Sequence, residues 1–356
     1  MKPKNLLLIL ILIIAATLLS GCGGDAFGTT SWPGILVNDN VSYVTYNQYV
    51  YAIGVEDGMM RWQYPEKGEA VKTFYAQPTL TDDGQLIVGS YNSSLYSLDP
   101  TTGAENWVFR PGNGRFIGAP IAHGDRIYAP SASGRLYALD LSGKEVWRFE
   151  DTQGPFWAQP LLDLERQALY LASMDHHLYS FSLDTGQMLW KTNLDGSLVG
   201  TPVLDKGVLY IGGFASTMSA INADNGNILW TTPVSNWVWS GPALHEGRLY
   251  FGDLGGVFYS LDARTGGIVW ETQPDGPVTA TPYVQDGTVY FATENGDLQA
   301  LTLDGSRQWS QSIGGRLFAN PTPANDLILV PAIDIDTLVV GINLNGTQRW
   351  SFIPPK

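Results

Sequence analysis

Several side chains in this 356-residue chain have types and spacings that could do chemistry. Cys22 is the single thiol. Acidic or amide residues recur at Glu56, Asp99, Asp140, Asp184, Asp224, Asp262, Asp304 and Asn345, each shortly before a glycine. His176 and His177 stand together after Asp175, and Arg115 and Arg316 each lie five residues before a proline. A lone thiol excludes disulfides, Cys-ligated zinc and iron–sulfur clusters within the chain. Carboxylates are raw material for general acid–base work. One that returns in every copy of a repeat is first of all a turn builder, its oxygens accepting turn amides while the glycine takes a positive φ. Adjacent histidines in one turn rarely converge on one metal, so a site would need ligands from elsewhere and no metal is expected. The two arginines could grip an anion or a partner's carboxylate in bidentate fashion, or simply pair with a neighbouring acid. Gly-x-Ser-x-Gly, His-Glu-x-x-His and Gly-x-Gly-x-x-Gly are all missing, and only four histidines are present, so the chain is expected not to be an enzyme.

The elements that position these residues follow from composition and repetition. With 44% hydrophobic and 15% charged residues, the chain is too apolar for disorder, and its 40 Gly and 21 Pro are too many turn formers for a helical bundle. A formal charge of −14 makes it a poor partner for a nucleic-acid backbone. The N-terminus has the form of a secretory signal: lysines at 2 and 4, an apolar stretch from Leu6 to Leu19, then Leu19-Ser20-Gly21-Cys22. That tetrapeptide resembles the bacterial lipobox, which implies cleavage after residue 21 and membrane anchoring through lipid on Cys22. Residues 22–31 then read as a flexible tether, and residues 32–356 as one folded body.

That body is one unit copied eight times. Tryptophan recurs at Trp62, Trp107, Trp147, Trp190, Trp230, Trp270, Trp309 and Trp350, at spacings of 39 to 45 residues, and each is preceded by a proline 27 to 30 residues earlier. Four runs of strand-forming residues fill each copy, so the unit is a propeller blade. The predicted fold is all-β: an eight-bladed β-propeller of four-stranded antiparallel blades. The proline is expected within the innermost strand, the third strand is expected to alternate between blade packing and the opposite face, and the fourth is expected to begin at the tryptophan. Strand order predicts that each blade is one uninterrupted copy, with blade eight closing on blade one by side-chain packing.

Asp-x-x-Thr-Gly-x-x-x-Trp on this period, as at Asp99 to Trp107 and Asp262 to Trp270, resembles the tryptophan-docking motif of the quinoprotein-dehydrogenase-like (PQQ-like repeat) propellers. The resemblance spans nearly the whole mature chain and implies that each tryptophan wedges between neighbouring blades. In quinone-dependent members, PQQ lies between a tryptophan and a disulfide of adjacent cysteines, beside a calcium ion. With one cysteine that clamp cannot form, so no PQQ or other cofactor is expected. A short version bearing a lipobox is similar to the lipoproteins of bacterial outer-membrane assembly machineries. This implies an extracytoplasmic, membrane-anchored, monomeric propeller acting as a protein-interaction scaffold.

The candidate binding face is the connection running into each proline, which opens around the central channel. Phe74, Tyr75, Arg115, Phe116, Phe156, Trp157, Trp237, Trp239, Arg316 and Phe318 cluster there. Aromatics around a polar channel suit an interface or a ligand mouth, although alternate residues could equally pack between blades. A small-molecule or quinone-type sensor module is therefore the competing reading.

Overall fold

Each copy folds as a meander of short strands rich in β-branched and aromatic residues, turned by glycine and Asx corners. In the computed structural model, which describes residues 32–355, the strands form eight four-stranded sheets. Blade one comprises β1 (Gly34–Asn38), β2 (Val41–Tyr46), β3 (Tyr49–Gly54) and β4 (Met60–Tyr64). The later blades occupy residues 79–109, 121–149, 161–193, 203–233, 243–272, 283–312 and 322–352. Every sheet is built from four consecutive antiparallel strands. The eight-bladed, all-β architecture expected from the repeats is the one present, and each blade is an uninterrupted copy. The leader, Cys22 and the tether lie outside the described residues.

Three local details differ from the expectations. The prolines stand one residue before the first strands, as Pro120 does before Ile121–His123, where the missing N–H costs the ladder no donor. The second and third strands are buried on both faces, for example Ala168–Ala172 and Leu95–Leu98. A blade is covered by a neighbour on each side, so its middle strands need apolar residues throughout. The tryptophan is the third residue of the fourth strand, not the first. It faces a small residue across the ladder, such as Ala52, Ser97, Ala220 or Gly341, and a bulge sits at that point in all eight sheets. The extra residue re-aims the indole out of its own blade.

That re-aiming joins the blades. Each indole N–H donates to a backbone carbonyl in the third-to-fourth turn of the next blade: Trp62 to Pro100 at 2.9 Å, Trp107 to Leu141 at 3.0 Å, Trp147 to Leu183 at 3.2 Å, Trp190 to Ala223 at 3.0 Å. Trp230 to Ala263 at 3.1 Å, Trp270 to Leu303 at 3.0 Å and Trp309 to Leu344 at 3.1 Å continue the series. Trp350 closes the ring on Val55 at 2.8 Å, with Asn325 bonding Asn40 and Glu56. The turn glycine has two reasons to be glycine. At Gly226 φ is +74°, and an added Cβ would fall 2.7 Å from the Trp190 ring.

The turn carboxylates behave as the repeat predicts in most blades. Asp99 Oδ1 accepts the amides of Thr101 and Thr102 and the Thr102 hydroxyl, and Asp262 does the same for Thr265. These donors hold both carboxyls below the usual carboxylate range. Three positions need correction. In the first blade the turn acceptor is Asp57, which takes the Met59 amide at 2.9 Å, while Glu56 accepts from Asn325. In the turn containing Asp184 the acceptor is Ser182, and in that containing Asp224 it is Asn222, while Asp224 pairs with Arg166 at 2.6 Å.

Candidate functional site

The connection from each fourth strand to the next first strand passes between the second-to-third turns of two blades. Counting back from the proline, the carbonyl at the fifth residue accepts an amide of the following blade's turn, as Arg115 does from Ala132 at 2.8 Å and Trp237 from Leu254 at 2.9 Å. The next amide donates to the preceding blade's turn, as Phe116 does to Ser90 at 3.1 Å and Val238 to Gly213 at 3.2 Å. With two consecutive peptide groups tied in this way, the side chains are sorted. The fourth residue before proline points between blades, and the third points at the axis. At the second, the chains crowd so closely that a Cβ on Gly200 would fall 2.5 Å from the Ser240 carbonyl carbon.

This sorting splits the candidate face. Phe74, Phe116 and Phe156 occupy the fourth position and are fully buried in the interblade clusters. They are core, because their backbone is pinned on both sides and their rings have no other direction to take. Tyr75, Trp157, Trp239 and Phe318 occupy the third position and, with Ile117, Val199 and Thr279, ring an axial funnel. Trp32 completes the ring, its indole edge-on to Trp239 at 5.3 Å and stacked on Phe318 at 5.5 Å. Trp237 lies outside the funnel on the rim, half-exposed and stacked on Phe214 at 4.9 Å. The arginines are also on the rim. Arg316 pairs with Glu294 at 2.9 Å and lies over the Phe318 ring, whereas the Arg115 guanidinium sits 3.8 Å above Tyr91 and donates to its hydroxyl.

The funnel has two compartments. An apolar vestibule of about 120 Å³ lies between Trp32, Trp157 and Trp239. Below it a polar cavity of about 220 Å³ is lined by Gln77, Gln159, Thr201, Thr281 and Asn320 at the residue before proline. None of the lining residues is Asp, Glu, Lys, Arg, His or Cys. The lining does not suit PQQ: an acidic quinone would meet no cation, a calcium ion would meet no carboxylate, and there is no cysteine pair to clamp a ring. His177 Nδ1 lies 2.8 Å from the Asp175 carbonyl oxygen, and His176 occupies a positive-φ turn position. Among the described residues no group of three or more His, Cys, Asp or Glu is placed to hold a metal.

A second surface was not foreseen. The two residues before each docking tryptophan lie on the outermost strand. In blades four, five and six they are Met188-Leu189, Ile228-Leu229 and Ile268-Val269, all 38–52% exposed. The same positions in other blades hold Met60-Arg61, Glu105-Asn106, Glu145-Val146, Arg307-Gln308 and Gln348-Arg349, with at most one apolar residue in each. The signal was available in the repeat alignment, but an apolar pair beside a core tryptophan reads as core until the bulge is known.

Fold and repeat define an eight-bladed propeller of PQQ-like repeats. Residues 25–155, 136–237 and 215–352 match the family described as Outer membrane protein assembly factor BamB, and the chain belongs to that family. Among curated relatives it is 27% identical over 159 residues to Outer membrane protein assembly factor BamB of Yersinia pestis, covering 41% of this chain and 39% of that one. It is 31% identical over 141 residues to Quinohemoprotein alcohol dehydrogenase of Comamonas testosteroni, covering 36% and 20%. The matches therefore span well under half the length of these relatives. The fold is similar to the crystal structure of BamB from Moraxella catarrhalis, with TM-score 0.72, 18% identity and coverage of 84% and 92%. A europium-containing methanol dehydrogenase gives TM-score 0.68 at 15% identity, covering 91% and 84%.

Proposed function

We propose that this chain is a non-catalytic, lipid-anchored extracytoplasmic scaffold that holds protein partners in outer-membrane protein assembly. Family membership supports the assembly role, and the lipobox at Cys22 supports the anchor. The observation that carries the scaffold reading is the apolar belt on the outer edges of blades four to six. Six exposed apolar side chains on three adjacent edge strands form its dense part, whereas blades one and three expose only Met60 and Val146 at the same positions. Unpaired strand edges with apolar side chains favour protein contacts. At Asp99, Asp140 and Asp262 a carboxylate oxygen is taken up by turn donors, which supports a structural and non-catalytic role for them.

The test is capture of partners from a detergent extract by wild-type protein and by Leu189→Glu with Leu229→Glu. The expected result is loss of the captured partners at an unchanged melting temperature. Undiminished capture by the double variant overturns the assignment of the belt. In parallel, Cys22→Ser should move the folded protein from the membrane to the soluble fraction; unchanged fractionation removes the anchor.

A further inference from the structure

We propose that the axial funnel is a binding site for an uncharged sugar ring. The proposal is independent of the scaffold reading and rests on the funnel's own chemistry.

The wall comes first. The third position before proline tolerates Ile117, Val199 and Thr279, so the fold does not require an aromatic residue there. Trp157, Trp239 and Phe318 are therefore in excess of what blade packing needs, and Trp32 adds another ring from outside the repeat. Flat rings at a mouth offer stacking surface to a ligand with an apolar face.

The floor is the complementary half. The Gln77 side chain makes no hydrogen bond within the described residues, being bonded neither to a neighbouring connection nor to a turn. Gln159 uses its amide N–H on the Pro120 carbonyl at 3.0 Å, which leaves its side-chain oxygen for a donor. Asn320 accepts the Thr281 amide at 2.7 Å, which leaves its amide N–H groups for an acceptor. Three further polar atoms on lining residues are buried without a partner: Trp157 Nε1, Ser240 Oγ and Thr279 Oγ1. Ser240 and Thr279 are each only 6% exposed. The contrast with the docking tryptophans is informative, because all eight of those indoles find a carbonyl and Trp157 finds none. Three of the eight orphaned side-chain atoms among the described residues belong to this one lining; buried polar groups are ordinarily satisfied, so these three point to a ligand whose binding reaches them.

The class of ligand follows by elimination. An anion would need a cation in the lining, and a metal ion would need carboxylates; the lining has neither. A quaternary ammonium ion would use the aromatic wall but has no donor or acceptor for the amide floor. A purely apolar ligand would strand the same amides. A neutral sugar ring has C–H faces for the indoles and hydroxyls that both donate and accept. The two compartments together lie near the lower end of the ~300–1,000 Å³ of ordinary small-molecule sites, which limits the occupant to a single ring.

The test uses the intact folded protein with ¹⁵N-labelled tryptophan. Glucose, galactose, mannose and N-acetylglucosamine are titrated separately while the indole N–H resonances are followed, with Trp157→Phe assigning its own peak. At least one sugar is expected to move the Trp157 resonance in a saturable way, with calorimetry giving a matching affinity. Trp157→Phe keeps a ring in the wall and should weaken binding by about three- to tenfold, as should Thr279→Val, the loss of one hydrogen bond each. Trp239→Ala should reduce it further. If none of the four sugars moves that resonance, the proposal fails. It also fails if choline or PQQ shifts the resonance saturably while the sugars do not, or if Trp157→Phe and Thr279→Val, both folded by melting temperature, bind sugar as the wild type does.

Discussion

The two faces of this propeller are built from equally regular parts, yet they differ in how much their sequences vary. On the face of the third-to-fourth turns, every blade repeats one device: a bulged tryptophan, a carbonyl 2.8–3.2 Å away in the next blade, and a positive-φ glycine under the ring. On the funnel face the backbone is also tied from blade to blade, but the bonds that repeat join peptide groups. Side chains there are constrained at the crowded second position and the buried fourth, and free at the third and fifth. Where the lock is a side chain the residue must repeat; where it is backbone, neighbouring positions become available for individual use. The funnel aromatics, Arg115 and Arg316 all stand at such free positions.

The largest effect should come from setting the two faces directly against each other. Trp190→Ala removes a wedge and its hydrogen bond and should cost about 3–5 kcal/mol by urea denaturation. Trp157→Ala combined with Trp237→Ala, on the funnel face, should cost under about 2 kcal/mol, because Trp237 is half-exposed and Trp157 lines a cavity. A reversal of that order would make the funnel tryptophans structural and end the contrast.

A smaller effect separates the two demands on the turn glycines. Gly84 has φ +84° with open space around it, whereas Gly226 has φ +74° with the Trp190 ring in the way. Gly84→Ala should cost only the left-handed strain, about 1–2 kcal/mol, and Gly226→Ala measurably more, since the indole must also move. Equal costs would show that the ring contact adds nothing to the lock.

The smallest effect is electrostatic and is concentrated on the turn face, with Asp175 on the funnel face also held low by its hydrogen bonds. Amide and hydroxyl donors hold Asp99, Asp140, Asp262 and Asp304 below the ordinary carboxylate value when folded. A depressed folded pKa contributes stability above the unfolded value, and that contribution is lost as pH falls through the unfolded value of ~3.9 towards the folded one. Melting temperature should therefore hold from neutral pH to about 5 and decline below about 4, and Asp99→Asn with Asp262→Asn should flatten the decline. A decline centred near pH 6.5 would place the sensitivity on histidine instead.

Much of the fold was legible because the repeat multiplies each signal by eight. Blade number, strand order, ring closure and the turn glycine could all be read from Trp and Pro spacing. What escaped was the setting of single residues. Glu56, Asp184 and Asp224 look like turn acceptors because they are acidic and close to glycine, yet Asp57 takes the first turn's amide. Counting four back from Gly186 and Gly226, as from Gly103 to Asp99, leads to Ser182 and Asn222, whose weaker chemistry hid them. Phe74, Phe116 and Phe156 differ from their funnel neighbours by one position in a segment with no strand periodicity, so nothing local told the two directions apart. The outer belt was hidden by the bulge, which turns Leu189 and Leu229 to solvent while their tryptophans go inward.

Among the described residues no blade borrows a strand from the other end of the chain, and Trp350 meets Val55 as every other docking tryptophan meets its neighbour. A ring of this kind has a seam but no hybrid blade. In a lineage, whole copies could be duplicated, lost or reordered at the level of the gene without leaving a half-sheet in need of repair. A permuted chain beginning at Gly112 and ending at Pro111, its old ends joined by a suitable linker, would contain the same eight complete units in the same cyclic order.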